Sequence, residues 1–275
     1  MKKTFLYIVG MLFCQLMAAQ TLTSYICDFE DPQEMQNWVL NTGNKGASSA
    51  NKWYRGTAGS FGLNSNNGLY IATAEDTTVS AYSGSTTGFT VAYREMTLAA
   101  GTYTLQADWI LAGMPTETIY VFWVPATQNT NSNYGNSVGL PSWIPAQRIL
   151  GQGSAWWQSS SCTFTANGGL GKVVVLFFYS KGTPVSPGPA IDNIEIHQGT
   201  CAAPTNVRYD GNTVSLTWNG SASGIYDVLV FNNHTKVSTS YVGVQGTTCQ
   251  LTSQTDEGMY YFYVRQTCDA VAHSV

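Results

Sequence analysis

Gly101-Thr102-Tyr103-Thr104-Leu105-Gln106-Ala107-Asp108-Trp109 decides the fold class of this chain. Apolar and polar residues alternate one by one along it. In an extended backbone successive side chains point to opposite faces, so Tyr103, Leu105, Ala107 and Trp109 line one face and Thr104, Gln106 and Asp108 the other. A helix would need apolar residues both three and four apart, and within this stretch none are three apart. The stretch therefore reads as a half-buried β-strand within 101–111. Working outward, comparable strand candidates cover 90–98 and 118–124, then 24–29, 69–72, 160–166, 172–179 and 191–197. Turn-forming residues separate them, at Ala100-Gly101, at Asn167-Gly168-Gly169 and between Pro184 and Pro189. Short strands at regular intervals with such punctuation indicate a sandwich or a barrel. No window sustains a helical period.

Composition points the same way. Only 10% of the 275 residues are charged while 13% are aromatic, which suits strands and does not suit disorder. The formal net charge of −4 offers no basic footprint, which argues against nucleic acid and against a polybasic membrane contact. Residues 1–19 read as a secretory signal peptide. Lys2 and Lys3 precede a short apolar run over 4–16, and Met17-Ala18-Ala19 supplies small residues for cleavage. The run is too short for a permanent anchor, and no other stretch is apolar enough to span a bilayer. Lipidation at Cys14 is disfavoured because bulky Phe13 stands where a small residue is needed. Of six cysteines, five remain after cleavage: Cys27, Cys162, Cys201, Cys249 and Cys268. None has zinc-site spacing, and export to an oxidising space permits disulfides.

A boundary falls near Gly199. Residues 20–199 form one block of strands, and 200–275 a second, smaller one with candidates at 207–209, 213–218, 226–231, 236–242, 247–251 and 259–267. Two long segments, 41–67 and 128–156, lack strand pattern and read as loops on a rigid scaffold, where binding usually sits.

The second block resembles a fibronectin type III domain. Pro204 precedes the first strand, and Val214-Ser215-Leu216-Thr217-Trp218 supplies the second strand with its core tryptophan. Tyr226-Asp227-Val228 and Tyr261-Phe262-Tyr263-Val264-Arg265 match two further strands. The chain stops at Val275, where that fold's seventh strand should begin, so a truncated product or the front of a longer protein is expected. Cys201 and Cys268 flank the matched strands. A bridge between them would close a long loop, worth roughly 4 kcal/mol in the chain-entropy model.

The first block resembles the jelly-roll modules of the cleaved-adhesin, choice-of-anchor and MAM-like group. The resemblance rests on Cys27-Asp28-Phe29-Glu30-Asp31 with Trp38, Lys52-Trp53-Tyr54-Arg55-Gly56, Gly68-Leu69-Tyr70-Ile71-Ala72, Ala92-Tyr93-Arg94, the stretch quoted first, and Ala190-Ile191-Asp192-Asn193-Ile194-Glu195-Ile196. It implies an all-β chain, a jelly-roll sandwich followed by a smaller immunoglobulin-like one. It also implies a secreted or cell-surface location of the kind found in Bacteroidetes, and binding of extracellular protein or glycan. A carbohydrate-binding accessory region of a larger secreted enzyme is the alternative.

Two sites are expected. Glu30 in the first strand and Asp192 in the last come together in that topology, and a structural calcium ion would offset their repulsion, with Asp28 and Asp31 as further ligands. The plainer reading is that these acids are solvated or cap turns. Tyr134, Trp143, Trp156 and Trp157 lie in or beside the second unpatterned segment and are candidates for stacking on a sugar or anchoring a protein. The alternative is that one of the adjacent pair Trp156-Trp157 is core. Trp38, Trp53, Trp109 and Trp218 read as core. Catalysis finds little support: His197, His234 and His273 are isolated, and no nucleophile elbow or phosphate loop is present. A carboxylate pair would have to come from Glu75, Asp76, Asp108 and Glu117. Cys27 and Cys162 are either joined or buried as free thiols, and Cys249 reads as core.

Overall fold

The computed structural model describes residues 21–43, 50–57, 67–75, 82–112, 117–130, 140–183, 188–199, 204–235, 237–252 and 258–267. They are nearly all strand, with one four-residue helix, α1 (Pro32–Met35). Asp31 caps that helix by accepting from the Gln33 amide at 2.8 Å, and Pro32 opens it.

Two very long strands organise the first block, β6 (Gly88–Leu111) and β9 (Ser154–Tyr179). The sequence expectation divided each in two, at Ala100-Gly101 and at Asn167-Gly168-Gly169. The structure instead runs each strand through its glycine segment. One antiparallel register holds from Gly88↔Tyr179 to Trp109↔Gln158, with Leu98↔Gly169 and Ala100↔Asn167 on either side of the bend. Gly168 and Gly169 have φ of 82° and 99°, a region open to glycine at little cost, and this lets the pair fold over without breaking its ladder.

The fold divides the sheet into two layers. In the first, the 88–98 half of β6 and the 169–179 half of β9 are flanked by β3 (Trp38–Thr42) on one side and by β7 (Thr118–Pro125) and β8 (Ile149–Gly151) on the other. In the second, the other halves are extended by β10 (Ala190–Gln198), which pairs with β2 (Ser24–Cys27) and β5 (Gly68–Ala72), and then by β4 (Lys52–Gly56). The first expected strand, now β2, thus pairs with the last, β10, as expected. The short β1 (Thr21–Leu22) lies parallel to β6 beside the bend.

The layers face each other across one core. Leu105, Ala107, Trp109 and Ile191 from the second layer meet Ile119, Val121, Val175 and Phe177 from the first. The Trp53 indole reaches across to donate to the Thr90 carbonyl at 3.3 Å. Removing each of the larger side chains among these from water is worth about 1.5–3 kcal/mol. The first layer is buried on its outer face as well. Phe89, Val91, Tyr120, Phe122, Val174 and Leu176 form a second cluster, covered by Trp143 and Ile144.

The second block is a smaller, immunoglobulin-like sandwich of two three-stranded sheets. One is β11 (Thr205–Asp210), β12 (Ser215–Asn219) and β15 (Thr248–Gln250). The other is β14 (Ser238–Gln245), β13 (Ile225–Asn232) and β16 (Tyr260–Thr267). Leu216, Trp218, Tyr226, Val228, Cys249 and Val264 fill the space between them. Trp38, Trp53, Trp109 and Trp218 are all buried, as the sequence implies. Both segments expected to be unpatterned contain strand: 41–67 holds β4, and 128–156 holds β8 and the start of β9.

Candidate functional site

A groove of about 560 Å³ opens beside the bend of β9, within the range of roughly 300–1,000 Å³ common for ligand sites. Its floor is built by a ladder of rings. Tyr103, fully buried, stacks on Phe164 with centroids 5.6 Å apart, and Phe164 stacks on Trp123 at 5.4 Å and 22°. Trp123 comes from the end of β7 and is only half-buried, so the ladder climbs from core to solvent. Its position is fixed by Gly171 across the sheet: a Cβ there would stand 2.0 Å from Trp123 Cζ2, so the indole occupies the volume a side chain would need.

Pro125, Pro145 and the half-exposed Leu170 add apolar rim, while Gln147, Thr163, Thr165 and Asn167 supply hydroxyl and amide groups. Among the described residues, none that lines the groove carries charge. Over 163–167 the ladder of β9 is formed with β6 alone among the described residues, since β7 pairs with it only from Gly171 onward. The groove therefore runs along a sheet edge. Such a surface can present rings to apolar faces and hydrogen-bonding groups to hydroxyls, without attracting or repelling charge.

Sequence reading missed Trp123, which sits in the 118–124 strand candidate. The aromatic residues it favoured go to three separate places. Trp143 packs edge-on against Phe122, at 5.8 Å and 61°, over the outer face of the first layer. Trp157 is buried on the outer face of the second layer with Tyr70 and Ile110. Trp156 is exposed, and stacks on Tyr261 of the small sandwich at 4.4 Å. Tyr134 lies outside the described residues.

The acids proposed for calcium have other partners. Asp28 accepts from the Glu30 amide at 3.1 Å, and Asp31 caps α1. The Glu30 carboxylate takes the backbone and side-chain N–H groups of Asn67, at 2.6 and 2.8 Å. The carbonyls of Phe29 and Glu30, oxygens a cation would use, accept from Arg55 at 2.6 and 2.8 Å. Asp192 is fully buried near Gly68, accepting from the Asn193 amide at 2.7 Å. Among the described residues no three His, Cys, Asp or Glu side chains gather to hold a metal. These residues fit calcium poorly because a guanidinium already supplies positive charge to the turn.

The carboxylates weighed for glycoside cleavage do not share the groove. Asp108 lies on the outer face of the second layer and is buried, as is Glu117 at the entry to β7. Glu75 is exposed, and Asp76 lies outside the described residues. Cys27, Cys162 and Cys249 are free thiols, and burial pushes those of Cys27 and Cys162 up to about 11. Cys201 and Cys268, like residues 1–19, lie outside the described residues. Among those described, no helix is long and apolar enough to cross a membrane.

Fold and groove together define an all-β chain of two sandwiches with an uncharged, ring-floored cleft on the larger one. No family model matches this sequence, and no curated protein does. Among solved structures, TmCBM61 in complex with beta-1,4-galactotriose is similar at 13% identity and a TM-score of 0.37, covering 60% of this chain and 91% of its own. The family 11 carbohydrate-binding module from Clostridium thermocellum, in complex with a beta-1,3-1,4-mixed-linked tetrasaccharide, gives 11% and 0.36, over 66% and 98%. The adhesin domain of Epf from Streptococcus pyogenes gives 10% and 0.32, over 78% and 80%. At these TM-scores the likenesses carry no argument about ligand, and the fold rests on the strand order and registers above.

Proposed function

We propose that this chain is an exported binding protein of the cell exterior that holds a neutral glycan in the groove floored by Trp123 and Phe164. The observation that carries this reading is the lining: rings, prolines, hydroxyls and amides, with no charged side chain among the described residues. A sugar ring is apolar on its C–H faces and polar at its rim, so it uses both kinds of surface together. Residues 1–19 as a signal peptide supply the export. In the same reading the chain divides near Gly199 into a jelly-roll module and a fibronectin type III module. The pairings β11-β12-β15 and β14-β13-β16 support the second assignment.

The test is a glycan array probed with the purified chain, followed by titration of any hit while following tryptophan fluorescence. Trp123→Ala is expected to weaken binding at least tenfold, the scale of a central aromatic anchor. A chain that binds no glycan, or binds one equally well without Trp123, would sink the reading. Capture of a protein through Trp123 would instead make this a protein-adhesive groove.

A further inference from the structure

The outer face of the second layer carries an unusual burden of charge for a buried surface. Asp108 on β6 stands directly opposite Asp192 on β10, and Glu195 follows on the same face two bulged positions later. All three are buried. Like charges facing each other across a ladder are unfavourable unless something offsets them. Part of the offset is local. Asn193, with φ of 46° in the bulge, donates its backbone N–H to Asp192 and its side-chain amide to Asp108 at 2.9 Å. His197 Nε2 stands 2.9 Å from the second oxygen of Glu195.

The rest of the offset comes from the small sandwich. Along β16, Tyr260, Phe262 and Val264 face its own core, so Tyr261, Tyr263 and Arg265 point outward. Tyr263 packs on the cluster of Tyr70, Ile110, Trp157 and Ala190, and Tyr261 stacks on Trp156. Arg265 Nη1 lies 2.6 Å from Glu195 Oε1, and Nη2 lies 3.6 Å from Asp227 on the neighbouring strand β13. One guanidinium therefore serves carboxylates from both sandwiches.

We infer that Arg265 is a clasp that seats the small sandwich on the acidic outer face of the large one, so that the two move as a single rigid body in solution. Contacts between modules of one chain often leave them free to move relative to one another. Here ring stacking supplies the apolar contact and the Arg265–Glu195 pair fixes the orientation, because a planar guanidinium is directional where a lysine ammonium is not. Burial raises the Asp108 carboxyl to about 6, while Arg265 and the hydrogen bond from Asn193 pull it back. The charged groups acting on Arg265 are Glu195 and Asp108 from the large sandwich and Asp227 from its own.

The experiment is backbone ¹⁵N relaxation on the whole purified chain, comparing wild type with Arg265→Ala, Arg265→Lys and Glu195→Gln. Wild type is expected to give one shared tumbling time for both sandwiches. Arg265→Ala and Glu195→Gln are expected to separate it into two, the small sandwich tumbling faster, with Arg265→Lys restoring the coupling only in part. Retained amide dispersion in each sandwich shows that a split reflects undocking and not unfolding. Two tumbling times in the wild type, or one unchanged time in both Arg265→Ala and Glu195→Gln, would overturn the clasp.

Discussion

Replacing Gly171 with alanine tests the construction of the groove at its tightest point. The added Cβ would sit 2.0 Å from Trp123 Cζ2 and 2.6 Å from Cε2, so the indole cannot stay where it is. Ordinary contact begins near 3.4 Å, so the ring must retreat by roughly 1.4 Å or rotate away from Phe164. Forcing a methyl into a packed site costs about 1–3 kcal/mol, and for a chain of this size each kcal/mol lowers the melting midpoint by about 2–4 °C. Glycan affinity should fall with it, because the ladder from Tyr103 through Phe164 loses its outermost ring. The assay is thermal unfolding combined with fluorescence titration, repeated in a Trp123→Ala background. There the vacated space accepts the methyl, so the double variant should be no less stable than Trp123→Ala alone, a favourable coupling between the sites. If Gly171→Ala costs the same with and without Trp123, the penalty belongs to the backbone and the close packing of ring on glycine is not what shapes the groove.

Two further outcomes follow from the ionisable groups. Arg55→Ala strips the donors from the Phe29 and Glu30 carbonyls and should lower stability by about 1–3 kcal/mol in chemical denaturation, while a chelator should leave the wild-type melting midpoint unchanged; a clear drop on chelation would restore calcium to this turn. Asp108 binds its proton more tightly in the folded chain than in the unfolded one, so its contribution to stability is complete below the ordinary carboxyl value and is lost as pH rises through about 6. The urea midpoint of Asp108→Asn should therefore change less between pH 5 and pH 7.5 than that of the wild type, and equal pH dependence would contradict the assignment.

Much of the fold was legible because alternation is a local signal. Tyr103 to Trp109 declare a strand with one buried face in any context, and the four core tryptophans stand at positions where that pattern holds. Bend and turn, by contrast, share one local vocabulary. Ala100-Gly101 and Asn167-Gly168-Gly169 have the residues that reverse a chain, and only the unbroken register between β6 and β9 reveals that the strands continue. Helix α1 went unread: it has a cap at Asp31 and a first-turn proline at Pro32, but one turn is too short to produce a period. The groove was illegible for a related reason. Trp123 looks like any apolar strand residue until the sheet sets it over Gly171. In the same way the reading of Trp156 and Trp157 as loop aromatics could not foresee a second sandwich packed against them. Arg265 and Asp108 lie far apart in sequence, and no spacing rule joins them.

The unbroken passage of β6 and β9 from one layer into the other has a mechanical consequence. An ordinary sandwich can be prised apart by shearing one sheet from its neighbour, since only side-chain packing and flexible connections join them. Here both sheets are cut from the same two ribbons, so a load that separates them near Leu98 and Gly169 is carried by covalent backbone. Such a load opens the sandwich from the opposite end, away from the cleft beside the bend.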